Sequence, residues 1–151
     1  MKTIVRNEDN ISLYYFDDDT EITVGETTTV ITKDGETVLT IADSEPEGVT
    51  IYTEVDAVPD WYGWKYFYDG STWTVNEDFK GTTDIVVGID EASTDITVRY
   101  PNALHSSGSV QIDDEIITYT GIDELNLTGV ERGANSTTAS EHKIETYIEQ
   151  I

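Results

Sequence analysis

Thr28-Thr29-Val30-Ile31-Thr32-Lys33-Asp34-Gly35-Glu36-Thr37-Val38-Leu39-Thr40-Ile41 is the stretch that decides the fold class. Two runs of β-branched residues flank Asp34-Gly35, a dipeptide whose backbone accepts the positive φ angles of a tight hairpin turn. Val, Ile and Thr suit the pleated, half-buried surface of a sheet. The stretch therefore predicts an antiparallel hairpin, and the same chemistry recurs on both sides of it. Ile22-Thr23-Val24 precedes it and Val49-Thr50-Ile51-Tyr52-Thr53-Glu54-Val55 follows. Trp64-Lys65-Tyr66-Phe67-Tyr68 and Thr72-Trp73-Thr74-Val75 flank Asp69-Gly70, a second hairpin signal.

Beyond Lys80-Gly81 the pattern restarts. Asp84-Ile85-Val86-Val87, Asp95-Ile96-Thr97-Val98, Ser109-Val110-Gln111-Ile112, Glu115-Ile116-Ile117-Thr118-Tyr119 and Leu125-Asn126-Leu127-Thr128 are short runs between polar turns. A spacing of roughly ten residues suits a sandwich or small barrel. Ser140 to Ile151 fits both periods: Ile144, Tyr147, Ile148 and Ile151 match a helix, while Ile144, Thr146 and Ile148 match a strand. The expectation there is a terminal strand. The fold class is all-β, as two small antiparallel β modules over residues 1–80 and 81–151, with little or no helix. The seam falls near Asn76 to Gly81.

Charge narrows the partners. Eight Lys and Arg against 31 Asp and Glu leave a net charge of −23. Such a surface repels phosphate backbones and anionic membranes, so neither nucleic acid nor membrane is an expected partner. It attracts basic protein surfaces or carboxylate-held cations, although much of the charge simply keeps a chain soluble. No run reaches the ~20 apolar residues of a membrane span. Met1 to Phe16 contains no apolar h-region, so no conventional export signal is expected. The absence of cysteine excludes disulfides, thiolate metal sites and cysteine nucleophiles.

From Thr82 to His142 one pattern is distinctive. Glu115, Ile117, Tyr119 and Gly121 match I-x-x-E-x-I-x-Y-x-G, beginning at Ile112. Leu127-Thr128-Gly129-Val130, Arg132-Gly133, Thr137-Thr138-Ala139 and His142 match L-T-G-V-x-R-G-x-x-x-T-x-A-x-x-H. The segment resembles a small β module that recurs in virion structural proteins of tailed bacteriophages, including tail and baseplate proteins. The Met1-Lys2-Thr3-Ile4-Val5-Arg6 opening, Asn10-Ile11-Ser12-Leu13-Tyr14 and Trp61-Tyr62-Gly63-Trp64-Lys65-Tyr66 are similar to marine and cyanobacterial phage virion proteins. The resemblance implies a structural protein that docks in many symmetric copies on phage capsid or tail proteins, as a decoration, neck or tail accessory. It would be made in the host cytoplasm, reside in the virion and need no cofactor. One departure is Ser136, where the family pattern carries glycine; Asn135 beside it tolerates a positive φ.

The same residues have a physical role without the family. Arg132 is one of few cations, and its fork suits Glu115 or several loop carbonyls. Gly129 and Gly133 fit turn geometry. Tyr119 can cover one end of the module while its hydroxyl meets a carbonyl or solvent. His142 has a hydrogen-bonding role in the same turn. Together Glu115, Tyr119, Gly129, Arg132, Gly133 and His142 are expected to form a structural lock.

Chemistry has fewer supports. Asp17-Asp18-Asp19 and Asp113-Asp114-Glu115 are acidic clusters, and Asp17, Asp19, Asp113 and Asp114 are weak metal candidates. Neither cluster has EF-hand spacing, so solvated turns are the expectation. His105 and His142 share no zinc motif. No G-x-S-x-G elbow or phosphate-cradling glycine loop occurs, and the chain is expected not to be an enzyme. The aromatic run Trp61, Tyr62, Trp64, Tyr66, Phe67, Tyr68 and Trp73 is the strongest competing signal. Alternation places Trp64, Tyr66 and Tyr68 on one face, to serve as core, as subunit interface or as a carbohydrate- or receptor-binding platform.

Overall fold

Alternating β-branched residues fold here as they should: the computed structural model, which describes residues 1–42 and 46–151, is 49% strand and 3% helical. The chain divides into two units, Met1–Glu77 and Asp78–Ile151.

In the first unit, β1 (Lys2–Arg6) lies between β2 (Ser12–Phe16) and β6 (Val49–Thr53), antiparallel to both. A second sheet runs β3 (Glu21–Val24), β4 (Thr28–Lys33), β5 (Glu36–Ala42). The turn joining β4 to β5 has Asp34 at φ 55° and Gly35 at φ 80°, with Lys33 opposite Glu36. Two successive left-handed residues are what a two-residue hairpin of this twist demands.

The hairpin of β7 (Tyr66–Tyr68) and β8 (Trp73–Val75) closes differently. Tyr68 pairs with Trp73, so Asp69 to Thr72 form a four-residue loop rather than a two-residue turn. The Asp69 carboxylate accepts the backbone N–H groups of Ser71 and Thr72 at 2.9 and 2.8 Å, replacing the missing backbone turn. Val5, Val55 and Tyr68 form the buried centre of this unit, with Met1, Tyr15, Tyr52 and Trp73 packed against it.

The second unit has two sheets. One orders β15 (Glu131–Ala134), β12 (Glu115–Tyr119), β11 (Gly108–Ile112), β16 (Tyr147–Gln150) and β9 (Thr82–Asp84). The other orders β10 (Ile96–Thr97), β14 (Asn126–Thr128) and β13 (Gly121–Asp123). Val110, Ile112, Ile117, Tyr119 and Ile148 from the first meet Ile96 and Leu127 from the second in one buried cluster. The arrangement is sandwich-like, and none of the sheets closes into a barrel among the described residues. The ambiguous terminal segment is strand β16, inserted between β11 and β9. Strand alternation buries Ile148 and exposes Tyr147 there, while Ile144 is exposed ahead of the strand, where Glu145 at φ 66° turns the chain. Strand alternation along β12 sends Glu115, Ile117 and Tyr119 inward together. That places a carboxylate in the core and sets up the site.

Candidate functional site

Glu115 and His142 are each 1% exposed. A buried carboxylate survives as an anion only when its oxygens are fully engaged. Arg132 supplies a bidentate fork, Nε to Oε1 at 2.7 Å and Nη2 to Oε2 at 2.9 Å. The backbone N–H of Gly133 donates to Oε1 at 2.9 Å, and that of Ser140 to Oε2 at 3.1 Å. His142 Nε2 lies 2.8 Å from Oε2. Burial alone would raise the Glu115 pKa; these donors outweigh it and hold the carboxyl at about 2. The folded value lies below the ordinary 4.5, so the stabilisation is complete above that value and is lost as pH falls toward 2.

Arg132 is as fully used as its partner. Nη1 donates to the carbonyls of Asp90 and Ser93 at 2.8 and 2.7 Å, and Nη2 also donates to the Ser140 carbonyl at 2.7 Å. With the two bonds to Glu115, all five guanidinium protons are satisfied. One side chain thus ties β12, the loop before β10 and the loop after β15. His142 extends the cluster: its Nδ1 lies 2.9 Å from Asp113 Oδ2. Facing carboxylate oxygens at both nitrogens, the ring satisfies both bonds only as the imidazolium.

The other motif residues act as supports. Tyr119 places its hydroxyl 2.8 Å from both the His105 carbonyl and Gln150 Oε1, and burial pushes its phenol above the ordinary range. Gln150 Oε1 also accepts the His105 N–H at 3.0 Å, and its amide donates to the Ser109 carbonyl at 2.8 Å. Gly129 has φ 61°, and a β-carbon there would collide with Thr120 Oγ1. Gly133 has φ 62°, and its missing β-carbon leaves room for Ala139 N and Thr137 O, each 3.1 Å from where that atom would stand. Thr137 then clamps the turn, donating to the Ala134 carbonyl at 2.7 Å and accepting the Ile116 N–H at 3.0 Å.

Asn135 and Ser136 are both left-handed, at φ 53° and 67°. Asparagine tolerates that conformation and serine does so at a cost, so a glycine in place of Ser136 would suit the backbone better. Ser136→Gly is expected to raise stability by about 0.5–1 kcal/mol, read as a higher urea midpoint at unchanged slope.

The acidic metal candidates have other partners. Lys33 Nζ bridges Asp17 and Asp19 at 3.2 and 3.3 Å, and Asp18 faces the Met1 amino group at 2.7 Å. Asp113 is bound to His142, and Asp114 is exposed beside it in the β11–β12 turn. No three His, Asp or Glu converge as a metal site among the described residues. His105 is remote in role from His142, its Nε2 lying 3.1 Å from the Phe79 carbonyl.

The aromatic strip is not one face. Tyr66 and Tyr68 are 7% and 6% exposed. Trp73 packs on Tyr68 at 4.5 Å and edge-on to Tyr66 at 6.2 Å, while Trp61 stacks on Tyr15 at 5.4 Å and donates to Ser12 Oγ at 2.9 Å. The Tyr66 hydroxyl donates to Asp60, which also receives the buried Lys65 ammonium at 3.0 Å. Trp64 departs from the expected alternation: at φ 71° it precedes the strand, and its ring is 51% exposed with the Arg6 guanidinium 4.7 Å from its centre. A left-handed residue breaks the period of two, so position counting cannot assign its face.

Sequence reasoning missed Asp113 as the partner of His142, the Asp90 and Ser93 carbonyls, and Gln150. No protein-family model, curated protein or solved structure matches the chain.

Proposed function

We propose that the chain is a non-enzymatic structural or accessory protein of a tailed-phage particle, docking in multiple copies on a capsid or tail protein. One observation carries this reading. The motif residues that resemble the virion module spend their hydrogen-bonding capacity inside their own unit, Arg132 giving two donors to Glu115 and three to the carbonyls of Asp90, Ser93 and Ser140. A motif saturated in this way serves to hold a loop in shape, which is what a repeated docking element needs. Repetition lets a modest interface suffice at each copy. The excess of 31 acids over 8 cations suits a basic patch on the particle.

Gold-labelled antibody against the chain, imaged on purified particles of a phage that encodes it, tests the proposal. Regular labelling over the head identifies a capsid decoration, and labelling at neck or tail identifies a tail accessory. Particles that carry neither label nor peptides of the chain in their mass spectrum contradict it. A second reading, a carbohydrate- or receptor-binding module on the virion surface, rests on the exposed rings of Trp64 and Tyr62. Loss of glycan binding in Trp64→Ala with an unchanged fold would favour it.

A further inference from the structure

We propose that Trp64, the Arg6 guanidinium and the wall of β2 at Leu13 and Tyr14 form a binding site for a single neutral sugar ring. The inference deepens the carbohydrate reading above and rests on it. Trp64 is the residue that packing leaves unexplained. Its ring is half-exposed and takes no part in the buried centre of its unit. Its backbone is left-handed at φ 71°, a conformation that glycine enters freely and a bulky side chain only at a steric cost. Two hydrogen bonds hold it there. Its N–H donates to the Ser12 carbonyl and its carbonyl accepts the Asn76 side-chain amide, each at 3.0 Å. Strain of this kind persists only where the surroundings enforce it, and it clusters at ligand sites.

Arg6 completes the feature. Its guanidinium stands 4.7 Å from the centre of the indole ring. Asp9 fixes it there, accepting from Nε and Nη2 at 3.0 and 2.6 Å. Those bonds use two of its five N–H donors, and among the described residues the other three have no partner. Arg132 has all five engaged, so one arginine locks loops while the other still offers donors. Beside the ring, Leu13, Tyr14 and Trp64 line a notch of about 140 Å³. That is room for about four or five waters, the scale of one sugar ring rather than of a folded partner. An exposed indole face beside unspent guanidinium donors suits a ligand with one apolar face and hydroxyl acceptors, which describes a pyranose. A cation is disfavoured because Arg6 already stands over the ring. An anion would meet Glu8 and Asp9 next to Arg6, within a chain of net charge −23. The ligand class is therefore a neutral sugar.

A site of this size binds weakly, so the test uses the full chain and sugar at millimolar concentrations. Proton–nitrogen spectra that resolve the indole and guanidinium N–H groups are followed during titration. The probes are the methyl glycosides of glucose, galactose, mannose and N-acetylglucosamine, with galacturonate as the charged counterpart. At least one neutral glycoside is expected to shift the Trp64 indole and Arg6 Nε signals saturably and independently of salt. Trp64→Ala should weaken that binding at least about tenfold, and Arg6→Gln about threefold or more. A glycoside that binds without moving the Trp64 signal overturns this site and leaves the carbohydrate reading standing. Failure of every probe to bind overturns both. Preference for galacturonate, lost as salt is added, overturns the neutral class. Sedimentation of the same samples tests the competing use of the ring: self-association that Trp64→Ala abolishes would make it a subunit contact and overturn the sugar site. The wild-type spectra locate the site by themselves if either variant fails to fold.

Discussion

Arg132→Ala is expected to destabilise the second unit by about 3–5 kcal/mol, the range for removing one partner of a buried ion pair. That is a large share of the roughly 5–15 kcal/mol that holds a domain folded. The substitution leaves Glu115 buried without its cation and strips donors from the carbonyls of Asp90, Ser93 and Ser140. Three segments lose their common anchor at once. The chain offers a convenient readout, because all three tryptophans, Trp61, Trp64 and Trp73, lie in the first unit. In urea, the far-ultraviolet circular dichroism of Arg132→Ala should show a transition at much lower denaturant. The tryptophan emission transition should stay where it is in the wild type. Coincident shifts in both signals would show that Arg132 supports more than its own unit.

Tyr68→Ala is expected to have a comparable effect on the other unit, again about 3–5 kcal/mol. Its ring is buried among Val5, Val55 and Trp73, and it meets Tyr52 edge-on at 5.1 Å. Here tryptophan emission should report the loss, at a lower urea midpoint. Trp64→Ala is the control within the same aromatic run. A half-exposed ring outside the core should change stability by only about 0.5 kcal/mol in either direction. Equal losses from the two substitutions would contradict the division of the run into core rings and a surface ring.

The contrast between those two positions shows what the sequence could and could not convey. Period-two alternation located β12 to the residue, since every second side chain from Glu115 to Tyr119 points inward. Asp34-Gly35 specified its turn because few dipeptides accept two left-handed residues in succession. Alternation failed at Trp64, where a positive φ breaks the period, and at Asp69-Gly70, where a side chain rather than the backbone closes the loop. β1 and β15 were not legible as strands, β1 because it is a short run buried at its centre and β15 because Glu131-Arg132-Gly133-Ala134 has no strand propensity. Tertiary pairing with β12 and the bonds of Arg132 make β15 a strand.

Of the site, the Glu115–Arg132 pair was legible because a lone arginine near a buried-pattern glutamate has few other uses. His142 was legible as a member of the same turn, but its partner Asp113 was not. Asp113 looked like part of an acidic cluster, and only the fold brings His142, 29 residues away in sequence, against it. Asp90 and Ser93 contribute carbonyls, which every residue possesses, so no side-chain pattern marks them.

The central structural claim is that the motif residues form one coupled lock. A double-mutant cycle on Glu115→Gln and Arg132→Ala in the full chain, read by urea denaturation, tests it most directly. The lock predicts that the double variant is clearly less destabilised than the sum of the single ones, by more than about 1 kcal/mol, because each single change already breaks the shared network. Losses that add to within about 0.5 kcal/mol would mean that Glu115 and Arg132 act independently and that the motif is not a lock.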